Sequence, residues 1–91
     1  MKVWKSEMLA ISRAGHDKDQ VYVVLEDDGA YLWLTDGRRR LLENPKKKKR
    51  IHVQVIKHLP GELLEQMQNI TLDAHVKKIL KTYGAEKGVQ E

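Results

Sequence analysis

Two Asp-Gly pairs, Asp28-Gly29 and Asp36-Gly37, bracket the six residues "AYLWLT". Asp-Gly is a favoured dipeptide of tight hairpin turns, because the glycine takes a positive φ with no Cβ to resist it. A segment confined between two such turns has room for one short strand and nothing longer. Before the first turn, "VYVVLE" (21–26) is rich in β-branched and aromatic residues and reads as its antiparallel partner. Further out, "MLAIS" (8–12), "RRRLL" (38–42) and "IHVQVI" (51–56) read as three more short strands. Gly15 in the polar segment 13–20 and the Asn44-Pro45 break supply the remaining turns. Five short strands in about fifty residues predict a mainly β fold, a small and strongly bent antiparallel barrel.

The pattern changes after Pro60-Gly61. In "ELLEQMQNI", Leu63, Met67 and Ile70 recur at helical spacing. Leu72, Val76, Ile79, Leu80 and Tyr83 then form one apolar stripe of an amphipathic helix. Thr71 is the expected N-cap and Gly84 the expected end. The reading divides the chain into a β-barrel domain over 1–58 and a C-terminal extension of one or two helices over 59–91. That stripe must be buried, and the expected cover is the barrel face carrying Tyr22, Tyr31 and Trp33. Alternation places those three opposite Val23, Leu25, Leu32 and Leu34.

Charge is the second constraint. Residues 36–59 hold nine basic and two acidic side chains, while the segments before and after are slightly acidic. Within 38–50, "RRRLLENPKKKKR", eight of thirteen residues are basic. Such a cluster repels itself unless an anion meets it, so it points to a nucleic-acid phosphate surface. Arg38, Arg39 and Arg40 on one side of a turn, and Lys46, Lys47, Lys48, Lys49 and Arg50 on the other, are expected at one end of the barrel.

The other residue types exclude more than they propose. There is no cysteine, and His16, His52, His58 and His75 are scattered without metal-ligand spacing. No pattern marks a nucleophile with its base, a phosphate-cradling glycine loop or a catalytic carboxylate pair. The reading is of a non-enzymatic protein with no cofactor and no metal. Asp17, Asp19, Asp27 and Asp28 read as turn residues. No stretch suits a signal peptide or a bilayer span, so the expectation is a soluble cytoplasmic protein.

"AGHDK" after a first strand, then "VYVVLE", a hairpin and "TDGRRRLLENPKKKKR", together resemble the KOW family. More narrowly they are similar to bacterial KOW-domain proteins that resemble a large-subunit ribosomal protein of archaea and eukaryotes. The resemblance covers about residues 5 to 58 and continues loosely into "LDAHVKKILK". Ala14, Gly15, Asp17 and Lys18 match the glycine-centred loop of the motif, and Asp36-Gly37 with Arg39 and Arg40 match its second signature. The family commonly has a second glycine where this chain has Asp19, and a basic residue near Gln20. The resemblance implies a small SH3-like barrel that binds RNA, often ribosomal RNA, in translation. Arg13, His16, Lys18, Arg38, Arg39, Arg40, Lys46, Lys47, Lys48, Lys49 and Arg50 are then the expected RNA contacts. A second reading is a protein-interaction module that docks a transcription or ribosomal protein through exposed aromatics or the amphipathic helix.

Overall fold

A computed structural model describes residues 2–86. The strands are β1 (Leu9–Ser12), β2 (Val21–Asp27), β3 (Tyr31–Thr35), β4 (Lys46–Lys49) and β5 (Val53–Ile56). A 3-10 turn over Arg50–His52 joins β4 to β5, and two helices follow, α1 (Gly61–Gln66) and α2 (Asp73–Glu86). The strands form one antiparallel sheet in the order β4-β3-β2-β1-β5. The two edge strands are therefore neighbours in sequence, and no ladder joins them among the described residues. The fold is mainly β, with five antiparallel strands and two helices, as the turn spacing predicts.

One strand lies elsewhere than expected. Residues 38–40 form a loop, and the strand is the lysine run itself, with Lys46 opposite Leu34 and Lys49 opposite Tyr31. Four lysines have poor β-propensity, but the free edge of β3 supplies their backbone partners and overrides it. The run also suits an edge, because lysines there discourage pairing with a second chain.

The sheet carries a core on each face. On one, Leu9, Val23 and Leu25 pack with Leu63, Met67, Ile70, Val76 and Ile79 from the helical segment, and Trp33 lies against this layer. On the other, Ala10, Tyr22, Val24, Leu32 and Leu34 form a second cluster, joined by Val53 and Val55. The expected partition of side chains is corrected here. Val23 pairs with Thr35 and Val24 with Leu34, so Tyr22 shares a face with Leu32 and Leu34, whereas Val23 and Leu25 share one with Trp33. A bulge between Val24 and Glu26 shifts the register, and parity between strands depends on that register.

The α2 stripe is buried against the sheet, with Trp33 in its cover as expected but with Leu9, Val23 and Leu25 in place of Tyr22: Val76 and Ile79 are fully buried, and Leu80, Tyr83 and Trp33 pack around them. Its entry differs from the expectation. His75 Nδ1, not Thr71, accepts the amides of Thr71 and Leu72, at 3.1 and 3.3 Å. Leu72 precedes the helix and is half exposed, and the helix runs through Gly84 to Glu86. The N-terminal segment is tied to the same layer, since Trp4 and Ile70 exchange backbone hydrogen bonds of 2.8 and 2.9 Å. No helix among the described residues is long and apolar enough to cross a membrane.

Candidate functional site

The loop after β3 is built on one carboxylate. Asp36 Oδ1 accepts the backbone amides of Arg38, Arg39 and Arg40 at 2.9, 3.0 and 2.9 Å. The amides of Asp36 and Gly37 both donate to the Arg40 carbonyl, and so does the Thr35 hydroxyl. Short polar side chains bond nearby backbone in this way at turns, which here gives each amide from Asp36 to Arg40 a partner. Gly37 at φ +75° completes it, buried against the start of α2. The three arginine side chains are exposed, and none is in an ion pair among the described residues. The fold thus holds three like charges together without neutralising them.

The lysine strand is arranged differently. Alternation turns Lys46 and Lys48 one way and Lys47 and Lys49 the other. Lys46 Nζ lies 2.8 Å from Asp17 Oδ2 and Lys48 Nζ 2.7 Å from Asp17 Oδ1. The same carboxylate accepts the hydroxyls of Ser12 and Tyr22, at 2.8 and 2.9 Å. Lys48 also donates to the Ala14 carbonyl at 2.7 Å. Burial pushes the Asp17 carboxyl up, but the bonds from Lys46, Lys48, Ser12 and Tyr22 outweigh it and hold the group well below the usual carboxylate range. Burial, followed by the bond to Asp17, drives the Tyr22 phenol well above its ordinary range. A residue read as a turn former is the hub of a polar network joining the β1–β2 loop to β4.

The remaining cations lie further along β4. Lys47 stands over Tyr31 at 4.4 Å and Trp33 at 5.5 Å from the ring centres, within cation–π range. Arg50 pairs with Asp27, and this bond, followed by the Gly29 amide, lowers the Asp27 carboxyl. Three steps of about 3.3 Å separate Lys46 from Lys49, so the run extends along a sheet edge and does not gather at one end. Lys49 and Arg50 sit at the β2–β3 hairpin beside Ile51, which is 83% exposed.

The residues expected as RNA contacts therefore separate into groups. His16, Arg38, Arg39, Arg40 and Lys46 surround one groove of about 440 Å³, with Asp17, Tyr22 and Asp36 in its walls. Arg13 is exposed at the end of β1 and engages Asp19 at 3.3 Å and the Gln54 side chain. Lys18 is exposed on the same β1–β2 loop. Lys48 is turned inward, its side chain 10% exposed. Sequence reading missed the anchoring roles of Asp17 and Asp36. Only Asp36 left a signal, since Asp-Gly before a polar run is typical of a side-chain-closed turn. Comparison with protein-family models and with curated proteins gives no match for this chain.

Proposed function

We propose that this is an RNA-binding protein with a KOW-type, SH3-like barrel, acting in translation or on ribosomal RNA. The observation that carries the reading is the arginine loop on Asp36. Three exposed guanidinium groups, on a backbone whose amides are held by the Asp36 carboxylate, lie beside Lys46 and His16 around one groove. Guanidinium binds phosphate oxygens through two parallel N–H bonds, so a fixed arginine loop is suited to a phosphate backbone.

A backbone detail supports the family resemblance. Asp19 has φ +74°, the one non-glycine residue in that conformation among the described residues. That is the position where KOW proteins commonly carry their second glycine. Aspartate tolerates the left-handed region better than most residues, which explains how the loop keeps its path without glycine. The alternative of a protein-docking module through the α2 stripe is the weaker one, because Val76 and Ile79 are spent on the sheet. A salt titration of RNA binding by the wild type and by Arg38→Gln/Arg39→Gln/Arg40→Gln tests the proposal.

A further inference from the structure

The lysines of α2 belong, by helical periodicity alone, to a solvated outer face. Their placement gives them a further role. Lys77, Lys78 and Lys81 line a second groove of about 760 Å³, opposite Asp19, Gln20, Asp36 and Arg38. It shares Gln20, Asp36 and Arg38 with the first groove, so the two are continuous around Arg38. The start of the helix lies close against the loop: a Cβ on Gly37 would be 2.6 Å from the Asp73 carbonyl, and Asp73 Oδ1 accepts the Leu42 amide at 2.8 Å.

The acids in this second groove are already engaged. Asp36 Oδ1 holds three loop amides, and Asp19 Oδ1 holds Arg13. Arg38, Lys77, Lys78 and Lys81 are exposed and in no ion pair among the described residues. Among the described residues, the aromatic rings lining the grooves are Tyr22 and the half-buried Tyr83, beside the His16 imidazole. Tyr22 is buried, Trp33 lies against the α2 layer, and a lysine ammonium stands over Tyr31 and another over Trp4. Tyr83, at the edge of the second groove, is packed against the core. Single strands are held largely by bases stacked on aromatic rings, whereas base-paired RNA is recognised by shape and phosphate contacts.

We infer that Lys77, Lys78 and Lys81 form a second phosphate-binding wall facing the arginine loop, and that the two walls together take the backbone of base-paired RNA. This rests on the RNA-binding reading and specifies its ligand. The test measures affinity against salt for a fully paired RNA stem-loop and for an oligouridylate with the same number of phosphates. The proteins are the wild type, the arginine variant Arg38→Gln/Arg39→Gln/Arg40→Gln, the triple variant Lys77→Gln/Lys78→Gln/Lys81→Gln, and the pair Lys78→Gln/Lys81→Gln, which keeps the Lys77 stem beside Gly37.

The stem-loop should bind more tightly than the single strand. At about 0.9 per duplex phosphate contact, the log–log salt slope should shrink by roughly 2.7 in the triple variant and roughly 1.8 in the double, with thermal midpoints unchanged. Wild-type slopes in both lysine variants, with loss of binding in the arginine variant, would overturn the second wall and leave RNA binding intact. Preference for the oligouridylate would overturn the assignment to paired RNA. No salt-dependent binding of either RNA by the wild type would remove the RNA-binding reading, and this inference with it.

Discussion

Lys48 Nζ lies 2.7 Å from Asp17 Oδ1, joining a β1–β2 loop residue to an edge-strand residue 31 positions later. Both side chains are nearly buried, at 10% and 13% exposure. Removing one partner of a fully buried pair costs about 3–5 kcal/mol, because the other charge is left without compensation. Residual solvent contact here brings the expectation for Asp17→Asn to about 2–3 kcal/mol. Urea unfolding should show that loss. Lys46→Gln/Lys48→Gln should also destabilise, whereas Lys47→Gln/Lys49→Gln should change stability by less than about 1 kcal/mol.

The same network sets an acid limit. The folded-state pKa of Asp17 is depressed, so its stabilisation is present above the unfolded carboxyl value of about 3.9 and is lost as pH falls through the folded value. Stability should decline from about pH 4 downward, and Asp17→Asn should flatten that decline while lowering stability at neutral pH. Tyr22 acts at the opposite end. Its phenol is raised, so its contribution holds below about pH 10 and fades as pH rises through the folded value. In ultraviolet titration, Tyr22→Phe should remove an ionisation step lying above the free-tyrosine range.

Gly37 and Gly29 separate conformational strain from close approach. Both have positive φ, +75° and +94°, but a Cβ on Gly29 would meet nothing within 4 Å. Gly29→Ala should cost strain alone, about 1–2 kcal/mol. Gly37→Ala adds a collision with helix backbone, so its cost should exceed that of Gly29→Ala by at least about 1 kcal/mol in the same unfolding assay. Equal costs would mean that α2 does not seat on the arginine loop.

Helix docking gives a fourth expectation. Ile79 is fully buried between α2 and the sheet, so Ile79→Ala should cost about 2–5 kcal/mol. Leu72 belongs to the same apolar stripe in sequence but is 55% exposed, and Leu72→Ala should stay within about 0.5 kcal/mol. Thermal melts of the two variants distinguish a docked helix from a loosely tethered one.

Turn chemistry and helical periodicity carried most of the fold. Asp28-Gly29, Asp36-Gly37 and the Val76–Ile79 stripe each mark a local preference that the tertiary structure respects. The lysine strand was not legible, because four identical side chains show no alternation and its partner edge is a tertiary feature. The same uniformity hid the division of the run into Lys46 and Lys48 facing Asp17 and Lys47 and Lys49 facing away. Cross-strand parity was lost for a related reason, since a bulge near Leu25 leaves no mark in composition. At the candidate site the arginines were visible as a cluster and Asp36-Gly37 marked the turn, but the reach of the Asp36 carboxylate across all three arginine amides was not legible. Asp36 acts through three backbone amides that carry no residue identity.

The most direct test of the central claim is a salt titration of RNA affinity for the wild type and for Arg38→Gln/Arg39→Gln/Arg40→Gln. Glutamine keeps a polar side chain and leaves the backbone amide bonds to Asp36 in place, so the folds should melt alike. Each phosphate contact contributes about 0.7–0.9 to the slope of log K against log salt, so losing three should reduce it by roughly 2–3 and weaken binding across many RNA sequences. Identical affinity and slope in the variant and the wild type would contradict the assignment of this loop to phosphate.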